Sequence, residues 1–286
     1  MRELTVVSGK GGTGKTSLLG AFATLANGSV ICDCDVDAAN LHLILNPEVK
    51  EAHPFIGGIK AEISLNACSK CGLCEELCRF SAIKEFQVNA YACEGCGLCH
   101  LVCPTGAVKL KEHLSGNWFK SETKWGPMVH AKLGIAEGNS GLLVNVVRKK
   151  AREIASERKI PLIISDGPPG IGCPVISSLA GTDVALIVTE PTKSGLHDME
   201  RILRVTATFS CTAAVCINKY DLDEEQCSEI EKTALNLKVP IIGKIPYNQS
   251  LSQSMLQGRP VTDIGENEVT SAIRDLWQQV NKLLGE

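Results

Sequence analysis

Short apolar runs alternate along this chain with longer stretches whose apolar positions recur at helical spacing. Leu4-Thr5-Val6-Val7 leads into a glycine-rich segment and then an Ala/Leu-rich helix. Val30-Ile31-Cys32 and Leu162-Ile163-Ile164 are further apolar runs, and each ends in acidic residues. Val184 to Thr189, Ala214 to Ile217 and Pro240 to Ile245 are three more, separated by amphipathic stretches. This alternation predicts an α/β fold with a doubly wound, mostly parallel sheet, in which ligands bind beyond the carboxyl ends of the strands. Trp118 to Lys132 reads as extended or as a hairpin, and Glu137-Gly138-Asn139-Ser140 as the cap of a helix from Leu142 to about Arg158. Near the carboxyl end, Ile273, Leu276, Trp277, Val280, Leu283 and Leu284 have helical spacing. Arg274 and Lys282 there are offset by Asp275 and Glu286, which predicts a core-packing helix and not a membrane anchor.

The glycine-rich segment is Gly9-Lys10-Gly11-Gly12-Thr13-Gly14-Lys15-Thr16-Ser17. Placed between a strand and a helix, it reads as a phosphate-binding loop whose backbone N–H groups face phosphate oxygens at a helix amino terminus. Lys15 is expected to reach the β and γ phosphates, and Thr16 to offer its hydroxyl to Mg²⁺. Gly11, Gly12, Thr13, Gly14 and Ser17 complete the expected cradle.

Composition changes the picture at one point. The 286 residues are 44% hydrophobic and carry 29 basic against 32 acidic side chains, a net charge of −3. That length supports a self-sufficient core, and the charge balance excludes a polyelectrolyte surface, so neither nucleic acid nor membrane is expected as a partner. No apolar run approaches the roughly 18 residues of a membrane span, and the amino end lacks a signal-peptide stretch, so the chain reads as cytoplasmic. The anomaly is the fourteen cysteines. In such a compartment they point to metal or redox chemistry, not to disulfides.

Eight of the fourteen fall in two runs, Cys68, Cys71, Cys74, Cys78 and Cys93, Cys96, Cys99, Cys103, at a constant offset of 25 residues. Both runs read C-x2-C-x2-C-x3-C, and Gly72 and Leu73 recur as Gly97 and Leu98. This internal duplication resembles the two-cluster bacterial ferredoxin pattern, in which the last cysteine of each run ligates the other cluster. The resemblance implies one [4Fe-4S] cluster on Cys68, Cys71, Cys74 and Cys103, and a second on Cys78, Cys93, Cys96 and Cys99. Zinc prefers paired C-x2-C knuckles, which this spacing does not supply. Pro104 follows the second run as the pattern requires, whereas Arg79 stands where the first run would have proline. Cys32 and Cys216 read as small buried hydrophobes and Cys211 and Cys227 as incidental. Cys173, just after the Asp166 strand, is a helix-start thiol or a ligand to a further intersubunit cluster.

The loop K-G-G-x-G-K-T, with its second lysine at Lys10, resembles the deviant phosphate-binding loop of the MinD/ParA superfamily, which includes the nitrogenase iron protein and the Mrp-type iron–sulfur carriers. That resemblance implies that Lys10 crosses a dimer interface to the partner's nucleotide, so that two copies sandwich ATP. It makes Asp35 the aspartate that orients the attacking water and places Asp166 and Gly170 in a γ-phosphate-sensing switch. Asp33, one side-chain alternation from Asp35, would join Thr16 and Asp166 around Mg²⁺. Asn218 and Pro246 would flank adenine, although Asn218-Lys219-Tyr220-Asp221 also fits the guanine-reading N-K-x-D. The implied domains are an ATPase of residues 1–59 plus 113–286 and an inserted ferredoxin domain of residues 60–112, started by Gly57-Gly58 and closed by His113 to Gly116. The implied function is a Mg²⁺-dependent ATPase of weak basal activity that gates electron transfer or cofactor delivery to an acceptor protein. The alternative is a positioning or partitioning protein with a structural or redox-sensing insert.

Overall fold

A computed structural model describes residues 1–26, 28–134, 137–138 and 140–285. The chain divides into two compact units, one of Met1–Ala52, Trp118–Lys132 and Ser140–Glu286, the other of His53–Asn117 and Leu133–Asn139.

The larger unit opens with β1 (Arg2–Ser8), α1 (Lys15–Ala26), β2 (Val30–Asp33) and α2 (Leu41–Leu45). Strand β3 (Glu48–Ile63) then carries the chain into the smaller unit, which holds α3 (Leu73–Glu76), β4 (Ile83–Lys84), β5 (Gln87–Val88) and α4 (Leu98–Leu101). Strand β6 (Val108–Thr123) returns and turns through two residues into β7 (Gly126–Leu133), the hairpin expected of Trp118 to Lys132. Helix α5 (Ser140–Glu157), β8 (Leu162–Pro169), α6 (Cys173–Leu179), β9 (Val184–Thr189), α7 (Lys193–Thr206), β10 (Thr212–Asn218), α8 (Glu224–Asn236), β11 (Ile241–Ile245), α9 (Gln249–Leu256) and α10 (Glu268–Leu284) follow. Of the cap expected before α5, Asn139 lies outside the described residues.

Nine strands form one sheet in the order β11-β10-β9-β1-β8-β2-β7-β6-β3, and β1, β2, β8, β9, β10 and β11 pair in parallel with their neighbours in that set. Side-chain alternation divides the apolar runs between two cores. Leu4, Val6, Leu186, Val188, Ala214 and Cys216 face one cluster with α1 and α10, where Phe22 and Trp277 lie 4.9 Å apart. Val7, Ala185, Ile187, Val215 and Ile217 face the other, with α6, α7 and α8. Burial on both faces is why these strands read as continuous apolar runs. Cys32 and Cys216 are fully buried as expected, and Cys227, expected to be incidental, also packs in a core. The terminal helix α10 buries Ile273, Leu276, Trp277, Val280 and Leu284, and a capping box of Asn267 and Thr270 starts it. Among the described residues no helix is long and apolar enough to cross a membrane.

Two features depart from expectation. Gly57-Gly58 and His113 to Gly116 do not break the chain but lie inside the 16-residue strands β3 and β6. A side-chain carbon at Gly57 would come within 2.7 Å of Ser115 Cβ, so glycine here permits close cross-strand approach without turning the chain. Strand β8 also continues past Asp166 to Pro169, where a register shift in β1 between Val6 and Ser8 accommodates the prolines.

A buried ionic network stitches β1 to α5. The Glu3 carboxylate accepts from Arg148 Nε and Nη2 at 2.9 and 2.6 Å and from Arg152 Nη2 at 2.7 Å, while Arg148 Nη1 donates to the Ser177 and Ala180 carbonyls. Glu3→Ala strands the Arg148 guanidinium, and a loss of roughly 3–5 kcal/mol is expected in urea unfolding. A loss under about 1 kcal/mol would show that the network is not sealed from water.

His130 sits on β7 with Nε2 2.9 Å from Ser121 Oγ, its ring stacked on Phe119 and facing His42. Burial, then the neighbouring His42, lowers its pKa to about 4. Between the unfolded value near 6.5 and about 4, the unfolded chain takes up a proton that the folded chain refuses, so stability falls as pH drops through that window. The span corresponds to roughly 3 kcal/mol. His130→Gln is expected to flatten the slope of unfolding free energy between pH 6.5 and 4; an unchanged slope would place the titration elsewhere.

Candidate functional site

The parallel topology brings the loops after β1, β2, β8, β9, β10 and β11 to one edge of the sheet, and the sequence motifs fall there. Lys15, at the first turn of α1, is buried and places Nζ 2.5 Å from Asp166 Oδ1 and 3.7 Å from Asp35 Oδ2. Thr16 Oγ1 donates to Asp166 Oδ2 at 2.8 Å. Asp33 Oδ1 accepts from the Asp35 amide at 3.1 Å, whereas its Oδ2 is buried with no hydrogen-bond partner. Lys15, Thr16, Asp33, Asp35 and Asp166, five residues from three separate segments, therefore converge.

The electrostatics of this cluster are unbalanced. Burial raises Asp33 well above the usual carboxylate range, and the Asp166 charge adds to it against the opposing pull of Lys15. Burial also raises Asp35. Burial alone would lower Lys15, but Asp166 and then Asp35 outweigh it and hold the ammonium in its charged form. Three carboxylates against one ammonium, with one carboxylate oxygen unpartnered, make a site that a divalent cation would balance.

The rest of the loop is fastened from outside. Asn218 Nδ2 donates to the Thr13 carbonyl at 2.7 Å, and Lys219 Nζ approaches the Gly12 carbonyl at 3.3 Å. The Gly170 amide, at φ +91°, donates to the Ser8 carbonyl at 2.9 Å. Lys10 does not join Lys15. Its Nζ lies 2.6 Å from Glu190 Oε1 and 3.0 Å from Ser194 Oγ, and Glu190 also takes Lys219 at 3.0 Å. Glu190 was not singled out in the sequence; its position one residue beyond β9, on the ligand-binding edge, was the available signal. Pro246 follows β11, and the next residue, Tyr247, donates its amide to Asp221 Oδ1 at 2.6 Å.

In the smaller unit the eight repeated cysteines surround two cavities. One is lined by Cys68, Cys71, Cys74 and Cys103, the other by Cys78, Cys93, Cys96 and Cys99. The last cysteine of each run thus lines the cavity of the other run. Gly72 and Gly97, at φ +81° and +79°, start α3 and α4 in the left-handed backbone region. Backbone amides point at sulfur, from Lys70 to Cys68 Sγ and from Ala82 to Cys78 Sγ, each at 3.4 Å. Arg79 lines the second cavity. Among the described residues no three His, Cys, Asp or Glu side chains are grouped to hold a single metal ion. Cys173 is exposed at the start of α6.

Residues 4–261 match the CobQ/CobB/MinD/ParA nucleotide-binding domain family. The chain belongs to this family. It is 30% identical over 285 residues to the uncharacterised protein MJ0578 of Methanocaldococcus jannaschii, covering 99% of this chain and 97% of that one. The structure of the cell division ATPase MinD of Pyrococcus furiosus superposes with a TM-score of 0.60 at 19% identity, covering 99% of each chain. MinD of Pyrococcus horikoshii, solved with Mg-ADP, gives a TM-score of 0.56 at 20% identity over 99% of this chain and 97% of that one. The fold is the mostly parallel α/β arrangement of MinD/ParA phosphate-binding-loop ATPases.

Gly14 tests the loop geometry directly. It sits at φ +89°, and a side-chain carbon there would lie 2.3 Å from Asn218 Nδ2, whereas the same carbon at Gly11 would meet nothing within 4 Å. Gly14→Ala is expected to cost about 2 kcal/mol or more and to shift the Asn218 side-chain amide signal, with Gly11→Ala leaving both near wild type. Equal behaviour of the two variants would mean that the loop is not held by Asn218.

Proposed function

We propose that this family member is a Mg²⁺-dependent ATPase carrying two [4Fe-4S] clusters in its smaller unit, and that ATP-driven pairing of two copies gates electron transfer or cofactor delivery to an acceptor protein. The observation that carries the reading is the exchange of Cys103 and Cys78 between the two cysteine-lined cavities of the smaller unit, in a chain whose larger unit holds a lysine–aspartate cluster on a phosphate-binding loop.

The residues present fit both groups. The unpartnered Asp33 Oδ2, with Thr16 and Asp166, suits a hard divalent cation bound directly or through water. Four thiols ringing each cavity, with backbone amides aimed at Cys68 and Cys78, suit a cubane that needs separated ligands and N–H donors to sulfur. Bound there, the clusters would supply one-electron transfer. Eight thiolates for two clusters favour retained, electron-carrying clusters over donated ones.

Lys15 and the loop amides from Gly11 to Ser17 bind and orient the phosphates, drawing Lys15 from Asp166 toward the β and γ oxygens. Asp35 would hold the attacking water, whose oxygen adds to the γ-phosphorus as the bond to the ADP oxygen breaks. Lys10 must leave Glu190 to reach a partner's nucleotide, so pairing of two copies and release of that ion pair are coupled. The likeness to MinD favours a second reading, a positioning protein with a structural or redox-sensing smaller unit.

Anaerobically purified protein is expected to hold about eight irons per chain, four in each cluster. Cys68→Ser and Cys103→Ser are expected to remove the same half of the iron, with ATP binding kept. Lys15→Ala should abolish ATP binding with iron kept, and Lys10→Ala should lose ATP-dependent dimerisation. Absence of iron–sulfur absorbance, or loss of different halves in Cys68→Ser and Cys103→Ser, would end the cluster reading. With reduced protein, Mg-ATP and an acceptor, electron loss without iron loss supports transfer, iron and sulfide movement supports delivery, and neither supports positioning.

A further inference from the structure

A polar cavity of about 310 Å³ lies within the smaller unit, distinct from the two thiol-ringed cavities but sharing Cys93 and Glu94 with the second of them. Three ionisable side chains meet on its other walls: Lys60 from β3, His113 from β6 and Glu137 from the segment after β7. His113 Nε2 lies 2.8 Å from Glu137 Oε1, and Lys60 Nζ lies 3.5 Å from Glu137 Oε2. Lys60 also donates to the Ala90 carbonyl at 2.5 Å. Glu137 is the most enclosed of the three, its side chain only 9% exposed. Burial pushes its carboxyl up, but the His113 hydrogen bond and then the Lys60 charge outweigh burial and hold it below the ordinary carboxylate range. We propose that this cavity binds a small organic anion, a carboxylate, held by Lys60 and His113 against the wall that carries Cys93.

A buried carboxylate shared by a lysine and a histidine is already paired, so Glu137 acts as an anchor that orients the two donors. With His113 protonated, these walls hold two cations against one carboxylate, a surplus that an anion balances. Lys60 meets two acceptors among the described residues, one fewer than its three N–H donors, which leaves a donor for the ligand. Tyr91 and Glu94 are the other ionisable side chains that line the cavity beside Cys93. Both are exposed, so water and salt screen the Glu94 charge. Along Gly57 and Gly58 the wall is backbone alone, and nothing there projects into the space. The volume is about ten times the roughly 30 Å³ share of a water molecule, more room than an inorganic anion fills and at the lower end of small-molecule sites. A ligand in this space lies beside the second ring of thiols. That adjacency to a cluster rests on the proposed function, whereas the binding itself needs no iron.

Calorimetric titration of the anaerobically purified protein with succinate, its neutral diamide and inorganic phosphate tests the site. At pH 6 succinate is expected to bind about tenfold or more tighter than either of the others. Its affinity is expected to fall about tenfold or more by pH 8, because a bound anion favours the protonated form of His113 and each proton lost weakens it. Lys60→Gln is expected to weaken succinate about tenfold and Lys60→Arg, which keeps the charge, only about twofold. His113→Gln is expected to remove the pH dependence, with iron content and ATP binding kept in all three variants as the check on folding. In reduced protein, succinate is expected to alter the electron paramagnetic resonance of the cluster on Cys78, Cys93, Cys96 and Cys99 and not that of the other. Succinate that fails to bind, is matched by the diamide or by phosphate, or binds Lys60→Gln as it binds wild type overturns the inference. Binding that leaves both cluster signals unchanged overturns the placement against Cys93. Succinate bound by protein that holds no iron ends the cluster reading and keeps the anion site, whereas full iron without succinate binding does the reverse.

Discussion

Three carboxylates gathered round one buried ammonium constrain most of the larger unit. Asp33 ends β2 and Asp35 lies just beyond it, Asp166 sits opposite Asp33 on the neighbouring parallel strand β8, and Lys15 reaches them from the helix that follows a third strand. Charges so desolvated are tolerated only when paired, and removing one partner is far costlier than never having built the pair. Neutral replacement of Lys15 would leave three carboxylates competing for protons, while a polyphosphate with its cation can exchange for these contacts without leaving a charge bare. That balance makes the loop responsive to a highly charged ligand. It also explains why the loop is anchored externally, through Asn218 to Thr13 and Gly170 to Ser8, and not by its own residues.

A second ionic arrangement governs Lys10. Glu190 holds it and Lys219 together, so the carboxylate is shared between a lysine on the loop and a lysine just after β10, and both pull its pKa down against the effect of burial. Shared partially exposed ion pairs are individually modest. Under the proposed pairing of two copies, a modest pair would suit Lys10: held too tightly it would not leave for a second nucleotide, and held by nothing it would not be oriented.

Legibility in the sequence followed the range of the interactions involved. Strand β9 was legible from Val184 to Thr189 because both its faces are buried and every residue is apolar or Thr. Lys15 and Thr16 were legible because a strand, a loop and a helix start make a local pattern with one known use, whereas Asp166 was read from a separate apolar strand by resemblance. The 16-residue lengths of β3 and β6 were not, since Gly57 signals a break when read alone and close packing only when Ser115 is placed against it. The Glu3–Arg148 pair, 145 residues apart, leaves no local trace, and neither does the engagement of Asp221 by Tyr247.

The smaller unit raises a different question of energetics. One buried apolar cluster among its described residues comprises Ala61, Cys74, Ile83 and Val108, and Cys78, Cys93, Cys99 and Cys103 are among the partly buried residues packed on them. Cysteines therefore supply much of the packing that a unit of this size needs, and small units with so little core depend on covalent or metal staples. Burial raises the thiols of Cys74 and Cys99, which disfavours bare thiolates there, whereas backbone and Thr105 donors lower Cys103. Thiols that resist ionisation alone become thiolates readily when a cation shares their charge, so ligand binding and folding of this unit draw on the same side chains. Under the proposed cluster reading, removing one of the eight cysteines would act on the stability of this unit and on its ligand at once.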